Sequence, residues 1–288
     1  IVFLKRKSFF DISFYIIIIL LTLNLSKRFM NTGLSHDESM LVFGGHGMLH
    51  GMVPYRDFFE LKPIMAIVMN ALGILLFGLK NCGFKYIVTV SLTISLVLFY
   101  FSMLRLKIFR FFAFIISIFT SYLLLQADFH DWGNNDFEIY GAIFSILSFS
   151  SLYLIDKTVR DIKLSHFLAG LFFAIAVLTK EPYLFALIAF TPFAFLKEKP
   201  LKFNFIEFKS LFLGFLFFIA FFFVYLLLTG ALVHYIYRME YTLAYAKDFH
   251  KIAGVDIPSN FKDLIVYDWE KIRSYLNNFS SFQILLPF

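Results

Sequence analysis

Within residues 35–63, reading SHDESMLVFGGHGMLHGMVPYRDFFELKP, stand four carboxylates, two cations and three histidines. Carboxylates beside cations suit proton removal next to an anionic group. The carboxylate takes the proton, while Arg offers phosphate a planar fork and Lys a compact charge. Asp37 and Glu38 are the candidate bases. They also read as a helix N-terminus, with Asp37 as cap and Glu38 complementing the dipole. The run Pro54-Tyr55-Arg56-Asp57-Phe58-Phe59-Glu60-Leu61-Lys62-Pro63 is denser. Its prolines stiffen the backbone and push the preceding residues out of the helical region. Arg56 and Lys62 are the phosphate donors of this run. The competing reading is an interfacial turn in which both snorkel and pair with Asp57 and Glu60.

Two further groups are weaker. His46 and His50 stand four apart and share a face if the segment is helical. No third ligand has metal-site spacing, so no metal is expected. Asp128, His130, Asp131, Asp136 and Glu138 form a second polar node. That node is either a solvated loop or a partner for the Asp37 site.

The elements that must carry these residues follow from composition. The 288 residues are 60% hydrophobic and 16% charged, with a mean hydropathy of +0.77, where soluble chains carry about 25% charged residues. The expectation is an all-α, polytopic membrane helix bundle. Its 43 Phe and 15 Tyr suit lipid-facing surfaces and interfacial belts. The net charge of +6 is dispersed in short clusters between apolar runs, which sets topology and does not suggest nucleic acid. The single Cys82 excludes an intrachain disulfide and any CxxC motif. Internal repeats and Gly/Ser linkers are absent, so one domain, 1–288, is expected. The chain opens on Ile1 and stops at Phe288 just as a new apolar run begins, so a truncated product is expected.

Seven spans are expected, at 9–25, 86–104, 111–127, 137–155, 167–178, 183–196 and 210–228. Lys5-Arg6-Lys7 ahead of the first, and Lys27-Arg28 where a signal peptidase would want small residues, indicate an uncleaved helix with a cytoplasmic N-terminus. Residues 64–79 are short of the roughly 20 needed to cross and contain Asn70, Gly73 and Gly78. They are expected to lie in the outer leaflet with Asn70 facing protein or headgroups. That choice puts Arg105, Lys107, Arg110, Lys157, Arg160, Lys163, Lys197, Lys199, Lys202 and Lys209 inside, in agreement with the positive-inside rule. It also gathers Asp37, Glu38, Asp57, Glu60, Asp128, Asp131, Asp136 and Glu138 on the outer side. Residues 31–85 form an outer loop carrying the site motifs, and 230–282 a polar, aromatic outer segment, partly helical.

The stretch from Asp37-Glu38 through Gly51-Met52-Val53-Pro54 to Lys62-Pro63 resembles the GT-C membrane glycosyltransferases of the protein O-mannosyltransferase and lipid A aminoarabinose transferase type. Weaker matches are Asn135-Asp136-Phe137-Glu138-Ile139-Tyr140-Gly141, and Ala169-Gly170 through Leu178-Thr179-Lys180. The resemblance covers about residues 9–228; Leu61 stands where relatives often have His, and such enzymes usually continue through further spans. It implies sugar transfer from a polyprenyl-phosphate donor to an acceptor on the outer face of the inner or plasma membrane. Asp37 would be the base, with Glu38 or Glu138 as further catalytic candidates. Arg56, Lys62 and Lys180 would hold the carrier phosphate, and Tyr55, Asp57, Glu60 and Asp136 would orient the site. The scheme needs neither cofactor nor divalent cation, and its partners are the lipid-linked donor and the bilayer. The rival reading is a transporter or flippase for a lipid-linked or anionic substrate, and a third is an inactive membrane scaffold.

Overall fold

Uninterrupted Leu, Ile and Phe form helices here because neither Pro nor a cap interrupts the backbone hydrogen-bond ladder. The computed structural model describes residues 9–31, 34, 36–80, 82–125, 137–154, 159–185 and 205–252. Among these the protein is all-helical: α1 (Phe9–Asn31), α2 (His36–Leu49), α3 (Met65–Phe77), α4 (Gly83–Arg105), α5 (Arg110–Leu125), α6 (Phe137–Leu154), α7 (Val159–Val177), a 3₁₀ turn (Glu181–Tyr183), α8 (Phe205–Leu228) and α9 (Leu232–Ile252). Several helices begin earlier or run longer than their apolar runs. α7 starts at Val159, where 167 was expected, and α1 continues through Lys27-Arg28 to Asn31. Charged residues alter solvation without breaking the ladder, so an apolar boundary is not a helix boundary.

Pairings along the helices give their directions. Asp11 of α1 meets Arg110 of α5, and Thr22 bonds Ser121, so α1 and α5 run parallel. Phe14 and Tyr15, early in α1, pack on Tyr100 late in α4, so α4 runs the opposite way. Ser102 reaches the Ser150 carbonyl, which makes α4 and α6 parallel. The Ser148 hydroxyl donates to the Ala169 carbonyl and the Ser165 hydroxyl to the Ser151 carbonyl, so α7 runs antiparallel to α6. Gly170 lies against the Leu211 carbonyl and Gly214 against the Phe167 carbonyl, with Phe173 on Phe215, so α7 and α8 run together in backbone contact. One end of the bundle therefore holds the starts of α4 and α6 and the ends of α1, α7 and α8. Arg105, Lys107 and Arg110 lie at the other end. The core follows one face of α4, where Val88, Leu92, Leu96 and Tyr100 are buried against Ala113, Tyr140 and Ile143.

Helix α3 is different in kind. Its 13 residues give it about 20 Å of length, against the ~30 Å of a hydrocarbon core. The Met65 N–H donates to the Leu178 carbonyl just after α7, Asn70 approaches Tyr140 in the first turn of α6, and Gly73 packs on Gly83 at the start of α4. Successive turns thus meet three helix ends, so α3 runs across the bundle end. Asn70 faces protein: it is buried and donates to the Ala66 carbonyl at 2.9 Å. α2 packs on α3 through Gly45, where a Cβ would stand 2.7 Å from the Ala71 nitrogen.

Among the described residues two helices are by themselves long and apolar enough to cross a membrane, Gly83–Arg105 and, within α8, Glu207–Leu228. The apolar parts of α5, α6 and α7 are shorter, at Arg110–Leu125, Phe137–Tyr153 and Lys163–Val177. Beyond Phe185 the expected span 183–196 lies outside the described residues. The chain falls into two compact units, Ile1–Ile236 and Tyr237–Phe288, where the sequence suggested one. The described part of the second is the remainder of α9, in which the Thr242 hydroxyl donates to the Arg238 carbonyl. The rest of the expected outer segment, from 253 onward, lies outside the described residues.

Candidate functional site

The end of the bundle that α3 crosses collects the polar residues. The connection between α2 and α3 is built around Asp57. Its Oδ2 accepts from the Val53 N–H at 2.7 Å and from an Arg56 terminal nitrogen at 2.9 Å, and its Oδ1 accepts from Arg56 Nε at 2.8 Å. These bonds, the guanidinium foremost, hold the Asp57 carboxyl down to about 2 and raise Arg56 above its ordinary value. The third side of the fork donates to the Thr229 carbonyl at 2.9 Å, just beyond α8, where a cation complements unsatisfied carbonyls. Arg56, expected at a phosphate, thus straps the loop to α8. Tyr55 holds a left-handed backbone at φ +70°, uncommon for a bulky side chain. Its buried ring packs on Tyr235, 5.1 Å between centroids, and its hydroxyl lies 3.4 Å from the Lys62 carbonyl.

The turn places Lys62 where the sequence alone could not. Its Nζ stands 2.9 Å from Asp37 Oδ2, 25 residues away in sequence, and 4.4 Å from the centre of the Phe137 ring. Both charged side chains remain partly open, Lys62 31% and Asp37 50% exposed. The Lys62 N–H donates to Glu60 Oε1 at 3.0 Å. Glu60 is buried, and burial raises its carboxyl above the usual Glu range against the opposing pull of the Lys62 N–H and ammonium.

Adjacent helical residues diverge by about 100°, and the Asp37-Glu38 pair divides accordingly. Asp37 faces Lys62. Glu38 turns inward, fully buried, to Lys85 Nζ at 3.7 Å at the start of α4. A buried pair of this kind fixes α2 on α4, and loss of either partner would strand a charge. Glu38 therefore lacks the open position a base needs.

Glu138, in the first turn of α6 beside Phe137, is paired with Lys180, and its carbonyl accepts from the Tyr183 hydroxyl at 2.8 Å. The Tyr183 ring lies directly on Gly141, leaving no room there for a Cβ. Four separated stretches, around 37, 54–63, 137–141 and 178–183, thus meet at one end of the bundle. Asp128, His130, Asp131 and Asp136 lie outside the described residues. His46 and His50 stack at 4.2 Å and the His50 ring bonds the His46 carbonyl; among the described residues no cluster of metal-ligating side chains forms.

Sequence reasoning missed Phe137, Tyr183 and Lys85. The first two read as ordinary span aromatics. Lys85 carried a signal, a cation set at the edge of an apolar run. No protein-family model, curated protein or solved structure matches the chain.

Proposed function

We propose that the protein is a membrane glycosyltransferase that moves a sugar from a polyprenyl-phosphate donor to an acceptor at the bundle end crossed by α3. The bilayer part rests on the surface of α8, where Phe217, Phe221 and Leu228 are 59%, 64% and 84% exposed. A contiguous apolar face of that size suits lipid better than water. The chemical part rests on one observation, the Lys62–Asp37 contact at 2.9 Å on an open polar end. A carrier phosphate entering there competes with Asp37 for the ammonium. Lys62 then holds the departing phosphate while Asp37, released, accepts the acceptor hydroxyl proton. The acceptor oxygen bonds to the anomeric carbon as the carbon–phosphate-oxygen bond breaks, and its electron pair leaves with the phosphate. Glu138 and Lys180 supply a second carboxylate–cation pair at the same end, and Tyr55 and Glu60 brace the Lys62 backbone. A transporter would instead hold its substrate near mid-membrane, and the gathering of this cluster at one end favours transfer.

The test is transfer of label from a polyprenyl-phosphate sugar by the reconstituted protein. Asp37→Asn is nearly isosteric at an open position, so the chain should fold, with transfer falling by about 10²–10⁴-fold. Undiminished transfer in that variant would remove Asp37 as the base. Translocation of the lipid-linked sugar without transfer would favour the carrier reading.

A further inference from the structure

At the end of the bundle remote from Lys62, the turn between α4 and α5 borders an open cavity of about 370 Å³, lined by Asp11, Leu104, Lys107, Ile108, Phe109 and Arg110. Its chemistry is amphipathic. Leu104, Ile108 and Phe109 are apolar, and the remaining lining sets two cations against one acid. The buried Asp11 carboxylate faces Arg110 Nε at 3.0 Å, which neutralises the acid and orients the guanidinium. Lys107 is exposed and leaves the lining net positive.

The backbone at Lys107 is a second, independent observation. Lys107 closes α4 at φ +61°, in the left-handed region, with its N–H on the Leu104 carbonyl. Glycine is the residue suited to that helix-ending position. A lysine there strains the chain and gains an ammonium beside the cavity. Phe109 in its lining and the neighbouring Phe111 and Phe112 are 68%, 53% and 61% exposed. Cations adjacent in sequence to exposed aromatic rings match the boundary between headgroups and acyl chains.

We infer that this cavity receives the phosphate headgroup of an anionic membrane phospholipid, held by Lys107 and Arg110, with acyl chains against Phe109, Phe111 and Phe112. Basic pockets between membrane helices take such headgroups by charge. The inference rests on the bilayer part of the proposed function and is independent of sugar transfer.

The full chain, in nanodiscs of phosphatidylcholine alone or mixed with phosphatidylglycerol, should melt higher in the mixture and retain phosphatidylglycerol in native mass spectra. Lys107→Gly separates charge from backbone: it should fold at least as well in phosphatidylcholine, yet lose about fivefold in preference for phosphatidylglycerol, the order expected for one lysine at an anionic surface. Lys163→Gln, a charge change outside the cavity, should leave the preference intact. An unchanged preference in Lys107→Gly, or an equal loss in Lys163→Gln, would overturn the site. So would reproduction of the melting shift by inorganic phosphate in phosphatidylcholine discs, since the ligand would then be a free anion. Recovery of the protein in an alkaline carbonate supernatant would overturn the bilayer reading and this one together. A membrane-held chain indifferent to phosphatidylglycerol would overturn this one alone.

Discussion

Lys62 has two partners of different kinds, the Asp37 carboxylate and the face of the Phe137 ring. If the contact with Asp37 were only a surface ion pair, losing it would cost about 1 kcal/mol or less. Lys62→Met should therefore leave the melting temperature nearly unchanged while lowering donor binding, turnover or both. Lys62→Arg should restore these only in part, because a planar fork does not replace a compact ammonium. A Lys62→Met protein that melts early but turns over normally while folded would assign the lysine to structure. Glu60 offers a separate handle through pH. Burial raises its carboxyl in the folded state, so from about pH 4.3 upward, until that raised value is passed, the native chain holds a proton the unfolded chain has lost. Stability contributed by Glu60 must then fall as pH rises. Glu60→Gln should flatten that decline and gain stability at neutral pH in denaturant titrations, since an amide oxygen can still accept from the Lys62 N–H. Asp57 works in the opposite sense. Its depressed carboxyl contributes stability that is complete above about pH 4 and is lost as pH falls towards 2.

Close backbone approach joins the helices at three places, α2 on α3 at Gly45, α3 on α4 at Gly73 and Gly83, and α7 on α8 at Gly170 and Gly214, and each depends on glycine. Between α7 and α8 a Cβ on Gly170 would collide with the Leu211 carbonyl, a backbone atom that cannot rotate away. Gly170→Ala should therefore destabilise the protein by about 1–3 kcal/mol or separate the two helices. Gly47→Ala in α2 provides the contrast. Its Cβ would meet only the Met52 side chain, most closely the sulfur near its flexible end, and alanine favours a helix over glycine by about 1 kcal/mol. Thermal melts of the two variants should move in opposite directions, or the second not at all. Small residues and serines at these seams, such as Ser102 on the Ser150 carbonyl, are the contacts that associate helices where lipid removes the hydrophobic drive. The strap from Arg56 to Asp57 and Thr229 belongs to the same scale, since it fixes the site loop to the end of α8.

At the scale of the whole molecule, helix directions put Asp37, Lys62, Glu138 and Lys180 at one end and Arg105, Lys107 and Arg110 at the other. In a Cys82→Ser background, Asp37→Cys and Lys107→Cys should label with an impermeant thiol reagent from opposite sides of the membrane, Asp37→Cys from outside. Labelling of both from one side would remove the bilayer from between them. Helix α3 contributes here too. Its exposed Leu75 and Leu76, 66% and 59%, point away from the buried Asn70, as a helix lying at an interface requires.

The sequence by itself determined the helical class and the polar stretch between 35 and 63. Each of these is a local property, since apolar runs make helices and prolines make turns. It also indicated that residues 64–79 would not cross, because 16 residues are too few. What it left open was partnership. Lys62 reads as well with Glu60, two residues away, as with Asp37, and only folding brings Asp37 across 25 residues to its ammonium. Arg56 reads as a cation for phosphate, and only the fold brings it the Thr229 carbonyl, 173 residues on, as a partner. Asp37 and Glu38 read as one acidic pair, and the rotation of α2 sends one to the open end and the other to Lys85. Such pairings depend on helix direction and rotation about the axis, where one residue of shift is about 100°. A linear pattern does not carry that angle; the packing of α2 and α3 across the ends of α4, α6 and α7 does.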